Sequence, residues 1–272
     1  MGNSDFGWNE PVSGRAPFGY FGGKSKLAKQ IIKLLPKHRC YVEPYCGAAW
    51  VLLKKPPSEV EILNDLSGEL VNFWRTVQNH PEEFLRCLDF SIVSRRIFEE
   101  EKQREVRGLT EIQRAVRFYY IQKLSFGARR DYPSFSVSVS SPPRMNHGRL
   151  RKDIQRLHDR IRRAYIEDLP ALKVIERYDR TDTFFYIDPP YWGRRGYEYL
   201  MAPSDYDDLR DILRDIKGKF ILSLNDCFEV RTLFADFQIE PIDAIYSVSQ
   251  GQGNSRSRSK GAEVLIHNLN DP

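Results

Sequence analysis

Residues 40–77 read CYVEPYCGAAWVLLKKPPSEVEILNDLSGELVNFWRTV. A short apolar run at Tyr41 and Val42 meets a turn at Pro44 and Gly47, and a helical stretch follows. A second apolar run, Val60 to Leu63, ends at Asn64-Asp65, after which Leu66 to Val77 reads as helix. Strand, helix, strand, helix in this order predicts an α/β fold. Parallel strands need a crossover between them, and the crossover helices cover the sheet.

The flanking sequence extends this pattern. Upstream, Ser25 to Leu35 carries Leu27, Ile31, Leu34 and Leu35 at helical spacing, follows a Gly22-Gly23 turn and stops at Pro36. Downstream, Thr183 to Ile187 is a continuous apolar run of the kind that suits a parallel strand buried on both faces. Ser204 is expected to cap a helix whose apolar face is Leu209, Ile212, Leu213 and Ile216, with Asp207 at its third position. Phe220 to Leu224 and Ala262 to Ile266 read as further strands. Between Pro81 and about Arg163 the texture is charged and helical. Its one strand candidate is Phe135 to Val139, and SVSVSSPPRMNHG at 136–148 is a loop.

Composition narrows the partners. A chain of 272 residues with a 41% hydrophobic share builds a real core, and no run of about 18 apolar residues is present to span a bilayer. Residues 1–15 have no apolar h-region and read as a loose tail, not a signal peptide. Cys40, Cys46, Cys87 and Cys227 lack metal-ligand or CxxC spacing, so reduced thiols are expected, with no disulfide and no metal site. Residues 95–163 hold 18 Lys and Arg against 8 Asp and Glu, a net of +10, so the remainder of this +5 chain sums to −5. A positive field so concentrated suits a polyanion, although a solvated helix face is an alternative.

Three motifs carry chemistry. Asp188-Pro189-Pro190-Tyr191 sits at the carboxyl end of the Thr183–Ile187 strand, where α/β sheets place ligands. Two prolines fix the backbone and remove two N–H donors, so the turn presents acceptors. An exocyclic amine is a poor nucleophile because its lone pair is delocalised into the ring. The Asp188 carboxylate and the Pro189 carbonyl are placed to accept its hydrogens and localise that pair, with Tyr191 as a stacking face. The second motif is Glu43-Pro44-Tyr45-Cys46-Gly47 with Asp65 22 positions after Glu43, the spacing of a glycine-bearing turn and a ribose-binding carboxylate. The third, Tyr20-Phe21-Gly22-Gly23-Lys24, offers a ring to pack on a purine or methionine moiety and a lysine to meet a carboxylate.

The order FGGK, EPYCG, LND, basic insertion, DPPY resembles the Dam-type, D12-class adenine-specific DNA methyltransferases of the alpha group, over roughly Phe18 to Asn268. The resemblance implies a Rossmann-like methyltransferase sheet, S-adenosyl-L-methionine as cofactor, double-stranded DNA as partner and extrusion of the target adenine from the duplex. It implies cofactor contacts at Tyr20, Gly22, Gly23, Lys24, Glu43, Pro44, Tyr45, Cys46, Gly47, Asp65 and Asp188, and an adenine site at Asp188, Pro189, Pro190 and Tyr191. One departure is Ala49-Trp50, where many relatives have a second glycine. Alanine adopts positive φ less readily, so a differently wound turn or a weaker hold on the cofactor is expected.

DNA contacts are expected from Lys123, Arg129 and Arg130, inside FYYIQKLSFGARRDY, and from Arg256, Arg258 and Lys260. The expected organisation is a tail at 1–15, a catalytic domain at 16–80 and 171–272, and a helical target-recognition insertion at 81–170. The expected reaction is direct attack of adenine N6 on the methyl, with no covalent enzyme intermediate. Cytosine-N4 methylation and a catalytically silent DNA-binding module are the alternatives. A monomer acting on DNA in the cytoplasm of a bacterial or phage-infected cell is favoured. Restriction–modification, replication or repair timing, and phage self-protection are all compatible roles.

Overall fold

The structure is a computed structural model that describes residues 16–19, 24, 27–128, 132–245 and 260–270. Its strands are β1 (Cys40–Glu43), β2 (Val60–Asn64), β3 (Tyr165–Glu167), β4 (Thr183–Ile187), β5 (Lys219–Asn225), β6 (Gln238–Ile245) and β7 (Lys260–His267). They form one sheet in the order β3-β2-β1-β4-β5-β7-β6. Pairing is parallel from β3 through β5, with Val42 opposite both Ile62 and Phe185, and antiparallel where β7 lies between β5 and β6. The fold is therefore the expected mixed α/β, Rossmann-like sheet.

Alternation along each strand explains the continuous apolar runs. Tyr41, Leu63, Phe184, Tyr186, Ile221 and Leu265 join one core cluster. Their neighbours Val42, Ile62, Phe185, Ile187, Leu222 and Ile266 join the other. Side chains on opposite faces are both dry because helices cover both sides. The first face is packed by α1 (Ala28–Leu34), α2 (Trp50–Lys54), α3 (Gly68–Asn79) and the helices α4 (Pro81–Leu88), α5 (Arg95–Gln103), α6 (Glu111–Leu124) and α7 (His147–Ile161). The second is packed by α8 (Ala171–Tyr178), α9 (Pro203–Arg214) and α10 (Phe228–Leu233).

Helices α4 to α7 occupy most of the span between β2 and β3, and α6 is their link to the sheet. Thr110 and Gln113 close a reciprocal capping box that starts α6. Tyr119 of α6 then stacks on Phe73 of α3 at 6.0 Å, while Phe18 sets its edge against Phe73 at 5.1 Å. At the far end of α7, Arg160 is buried and binds both carboxylate oxygens of Glu61 on β2 and the carbonyl oxygen of Leu52 on α2. Lys55 donates to the same Glu61 at 2.5 Å.

Several expectations need correction. Phe135 to Val139 is not a strand: it contributes a single bridge, Ser125 to Phe135, and Val137 and Val139 point into solvent with no face to cover. The sheet instead resumes at β3, a three-residue strand within the span expected to be helical. Ser204 does not cap α9. Pro203 opens that helix, since its fixed φ and missing N–H suit a first position, and the Asp205 carboxylate reaches back to the Ala202 N–H at 2.7 Å. Strand β6 was not anticipated because Pro241 interrupts it. A proline is tolerated there because β6 is the sheet edge. Among the described residues no helix is long and apolar enough to cross a membrane, and no group of three or more His, Cys, Asp or Glu is placed to hold a metal ion.

Candidate active site

Strand order reverses between β1 and β4, so the loops leaving their carboxyl ends diverge and open a cleft. A cavity of about 460 Å³ occupies it. On the β1 side the chain passes from Glu43 through a tight turn in which Gly47 has φ +47° and Ala49 has φ +50°. Ala49 itself takes the left-handed conformation (φ 50°, ψ 41°), the one alanine adopts less readily than glycine, and caps α2. The surroundings over-determine that strained position. Asp65, just past β2, accepts the Gly47 N–H at 3.0 Å, the Cys46 N–H donates to the Asn64 carbonyl at 2.8 Å, and the Trp74 indole donates to the Gly47 carbonyl at 3.2 Å.

Glu43 ends β1 in a buried position. Its Oε1 accepts the Tyr41 hydroxyl and the Leu52 N–H, each at 2.8 Å. Burial raises its carboxyl to about 7 despite those two donors. Burial likewise pushes the Cys46 thiol well above its ordinary range.

On the β4 side, Asp188 follows the last strand residue. Its Oδ1 receives two donors, the Lys24 ammonium at 2.6 Å and the Ser223 hydroxyl of β5 at 2.8 Å. Burial raises the Asp188 carboxyl, and these two partners pull it back down. Tyr206 of α9 donates to the Pro190 carbonyl at 2.7 Å, which leaves the Pro189 carbonyl as the other acceptor of the turn. Tyr191 folds inward with 8% exposure, its hydroxyl accepting from Lys24 at 2.6 Å.

The structure brings together at this cavity Lys24, Glu43, Pro44, Tyr45, Cys46, Gly47, Asp65, Asp188, Pro189 and Pro190. Tyr191 does not line it; the rings that do include Tyr45, Trp50, Tyr186, Tyr197 and Tyr199. Sequence reading missed these last four, and missed Pro170 to Lys173 at the start of α8. The cluster of tyrosines a few positions after DPPY was the available signal. Tyr20, Gly22, Gly23, Arg129, Arg130, Arg256 and Arg258 lie outside the described residues. Lys260 opens β7 opposite Ile245, with its side chain also outside them. Lys123, on the last turn of α6, donates to the Pro17 carbonyl at 2.6 Å and stands over the Tyr119 ring.

A ligand cleft at this reversal point, with the Asp188–Pro190 turn on one wall and a glycine turn on the other, fits an α/β enzyme of the Rossmann-like methyltransferase class. Comparison with known proteins narrows the class. The chain belongs to the D12 class N6 adenine-specific DNA methyltransferases, whose family model matches residues 20–248. It is 23% identical to the type II methyltransferase M1.LlaDCHI of Lactococcus lactis subsp. cremoris, over 91% of this chain and 93% of that protein. Similarity at 22% identity extends to the DNA adenine methylase of Vibrio cholerae, over 92% of this chain and 95% of the relative. The DNA N-6-adenine-methyltransferase of Escherichia phage P1 is 25% identical over 86% of this chain, a match that covers 33% of the phage protein. The protein is therefore an enzyme that methylates adenine N6 in DNA, and its reaction requires a methyl donor.

Proposed function

We propose that the methyl donor is S-adenosyl-L-methionine and that the 460 Å³ cavity receives both the donor and an adenine turned out of the duplex. Its size falls within the roughly 300–1,000 Å³ of small-molecule sites, and its walls combine aromatic rings with the carboxylates of Glu43 and Asp65, acceptors suited to the hydroxyls of a nucleoside and to an amino group. Bound there, S-adenosyl-L-methionine supplies an activated methyl group. The chain's own part is to hold it with residues 43–47, Asp65 and Lys24, together with Tyr20, Gly22 and Gly23, and to present the amine.

The observation that carries this reading is the holding of Asp188. Lys24 and Ser223 both bind Oδ1, which fixes the carboxylate and leaves the lone pairs of Oδ2 to accept an N6 hydrogen. The Pro189 carbonyl accepts the other. With both hydrogens engaged, the nitrogen lone pair is localised and directed, and orientation supplies most of the rate. Tyr197 takes the stacking role at the cavity wall, while Tyr191 fixes the turn through Lys24.

Extruding a base requires strong backbone contacts. Helices α4 to α7, within residues 81–170, are proposed as the recognition unit, with Lys123, Arg129 and Arg130 on it and Arg256, Arg258 and Lys260 as a phosphate clamp. The enzyme is proposed to act in the cytoplasm of a bacterial or phage-infected cell. Incubation with labelled S-adenosyl-L-methionine and unmethylated genomic DNA, followed by nucleoside analysis, is expected to yield N6-methyladenine. Asp188→Ala is expected to lower the yield about 10²- to 10³-fold. N4-methylcytosine, or product unchanged in the variant, would overturn the assignment.

A further inference from the structure

Glu263 lies on β7 opposite Asn225 of β5 and is 1% exposed. The Tyr191 hydroxyl approaches its carboxylate and favours the charged form, although the geometry falls short of a well-formed hydrogen bond. The Lys24 ammonium stands 4.0 Å from its Oε2. Asp188 and the phenols of Tyr186, Tyr191 and Tyr197 also face it. Two carboxylates thus share one ammonium, and this buried cluster carries one excess negative charge. Burial alone disfavours such a charge, and raises the Glu263 carboxyl accordingly.

The excess charge has a use in the reaction. When methylated adenine sheds a proton, the N6–H bond breaks, its electron pair stays on nitrogen and an O–H bond forms at Asp188. Asp188 is then neutral and holds the Lys24 ammonium less strongly. With no second carboxylate, a bare ammonium would be left in a dry site. We propose that Glu263 is a positioning residue for Asp188, the second counter-ion of Lys24, which takes up the ammonium as Asp188 receives the N6 proton. The proton comes from N6 and ends on Asp188, and the cluster passes from one excess negative charge to neutrality. This inference rests on the acceptor role proposed for Asp188.

Carboxyl-region ¹³C NMR of the ligand-free protein, with labelled Asp and Glu and Asp188→Ala for assignment, tests the coupling without turnover. Loss of the neighbouring negative charge in Glu263→Gln is expected to lower the Asp188 midpoint by about one pH unit. In single-turnover methylation of genomic DNA the same variant should be about ten- to a hundredfold slower, its acid limb displaced to lower pH. Its dissociation constants for S-adenosyl-L-methionine and DNA should stay within about threefold of the parent, since Glu263 acts on the proton and not on binding. Glu263→Asp, which keeps the charge one methylene further back, should recover most of the rate. If Glu263→Gln does not fold, a smaller downward shift of the midpoint in Glu263→Asp carries the test. An unmoved Asp188 midpoint, or equal rate losses in the Asp and Gln variants, overturns the proposal. Asp188→Ala at the parental rate would instead sink the acceptor role, while the titration would still read the Glu263 coupling.

Discussion

Glu43 shows how a single buried carboxyl sets a pH dependence. Its acid form is favoured in the fold, with a value raised from 4.5 to about 7 by burial. Its contribution to stability is therefore full below the unfolded value and is lost as pH rises through about 7. Asp188 and Glu263 are shifted in the same direction. The ligand-free enzyme should accordingly melt lower at pH 8 than at pH 5. Glu43→Gln keeps an oxygen for the Tyr41 hydroxyl and the Leu52 N–H, and should flatten that fall, with a gain on the order of 3 kcal/mol at pH 8. Melting curves at the two pH values check this, and parallel declines in parent and variant would contradict it. At this scale the sequence is informative wherever a residue type is unusual for its place. DPPY at a strand end and a lysine after two glycines drew attention to Asp188 and Lys24. Ser223 and Glu263 did not stand out, because their meaning comes from the register that sets β5 and β7 beside β4, which no local pattern carries.

Among elements, α7 has the clearest energetic anchor. Arg160 and Glu61 are almost wholly buried, and the guanidinium spans β2 and α2 at once. Arg160→Ala would leave Glu61 with the Lys55 ammonium and the Ser58 N–H, both on Oε1, and would strand the Leu52 carbonyl. A loss of about 3–5 kcal/mol is expected in denaturant unfolding, against little or no change for removing Arg86, whose partner Glu83 is on the surface. Equal small losses would show that the buried pair is not a tie. Apolar runs made β1, β2, β4, β5 and β7 legible and spacing or turn signals made α1, α2, α3 and α9 so, whereas α4 to α7 showed only as a charged helical texture. Strand β3 has three residues, half-exposed or exposed, and β6 contains a proline, so neither displays a readable period. Ala49 is a different case: its left-handed conformation was anticipated as a requirement of the turn but not as one alanine would meet.

At the scale of the whole molecule, charge is unevenly spread, with +10 between 95 and 163 and −5 elsewhere. A polyanion should meet the helical segment first, and binding should weaken steeply with salt, by a slope of about 0.9 per phosphate neutralised. Arg129→Ala combined with Arg130→Ala should weaken DNA binding and reduce that slope by roughly 2. Fluorescence anisotropy across a salt series measures both, and parental affinity and slope would remove these two residues from the interface. The α/β architecture and the helical middle were readable from the order of motifs and from the change in texture at Pro81.

Lys24 and Asp188 are 164 positions apart, and Glu263 comes later still, on a strand that slots between two made before it. Translation is vectorial, so a growing polypeptide displays its lysine and its acceptor turn well before the last counter-ion leaves the ribosome. Until β7 inserts, the sheet has no partner for the inner edges of β5 and β6, and the ammonium has one carboxylate instead of two. Completion of the charge cluster around the acceptor turn thus waits on the insertion of β7 between strands that precede it in the chain.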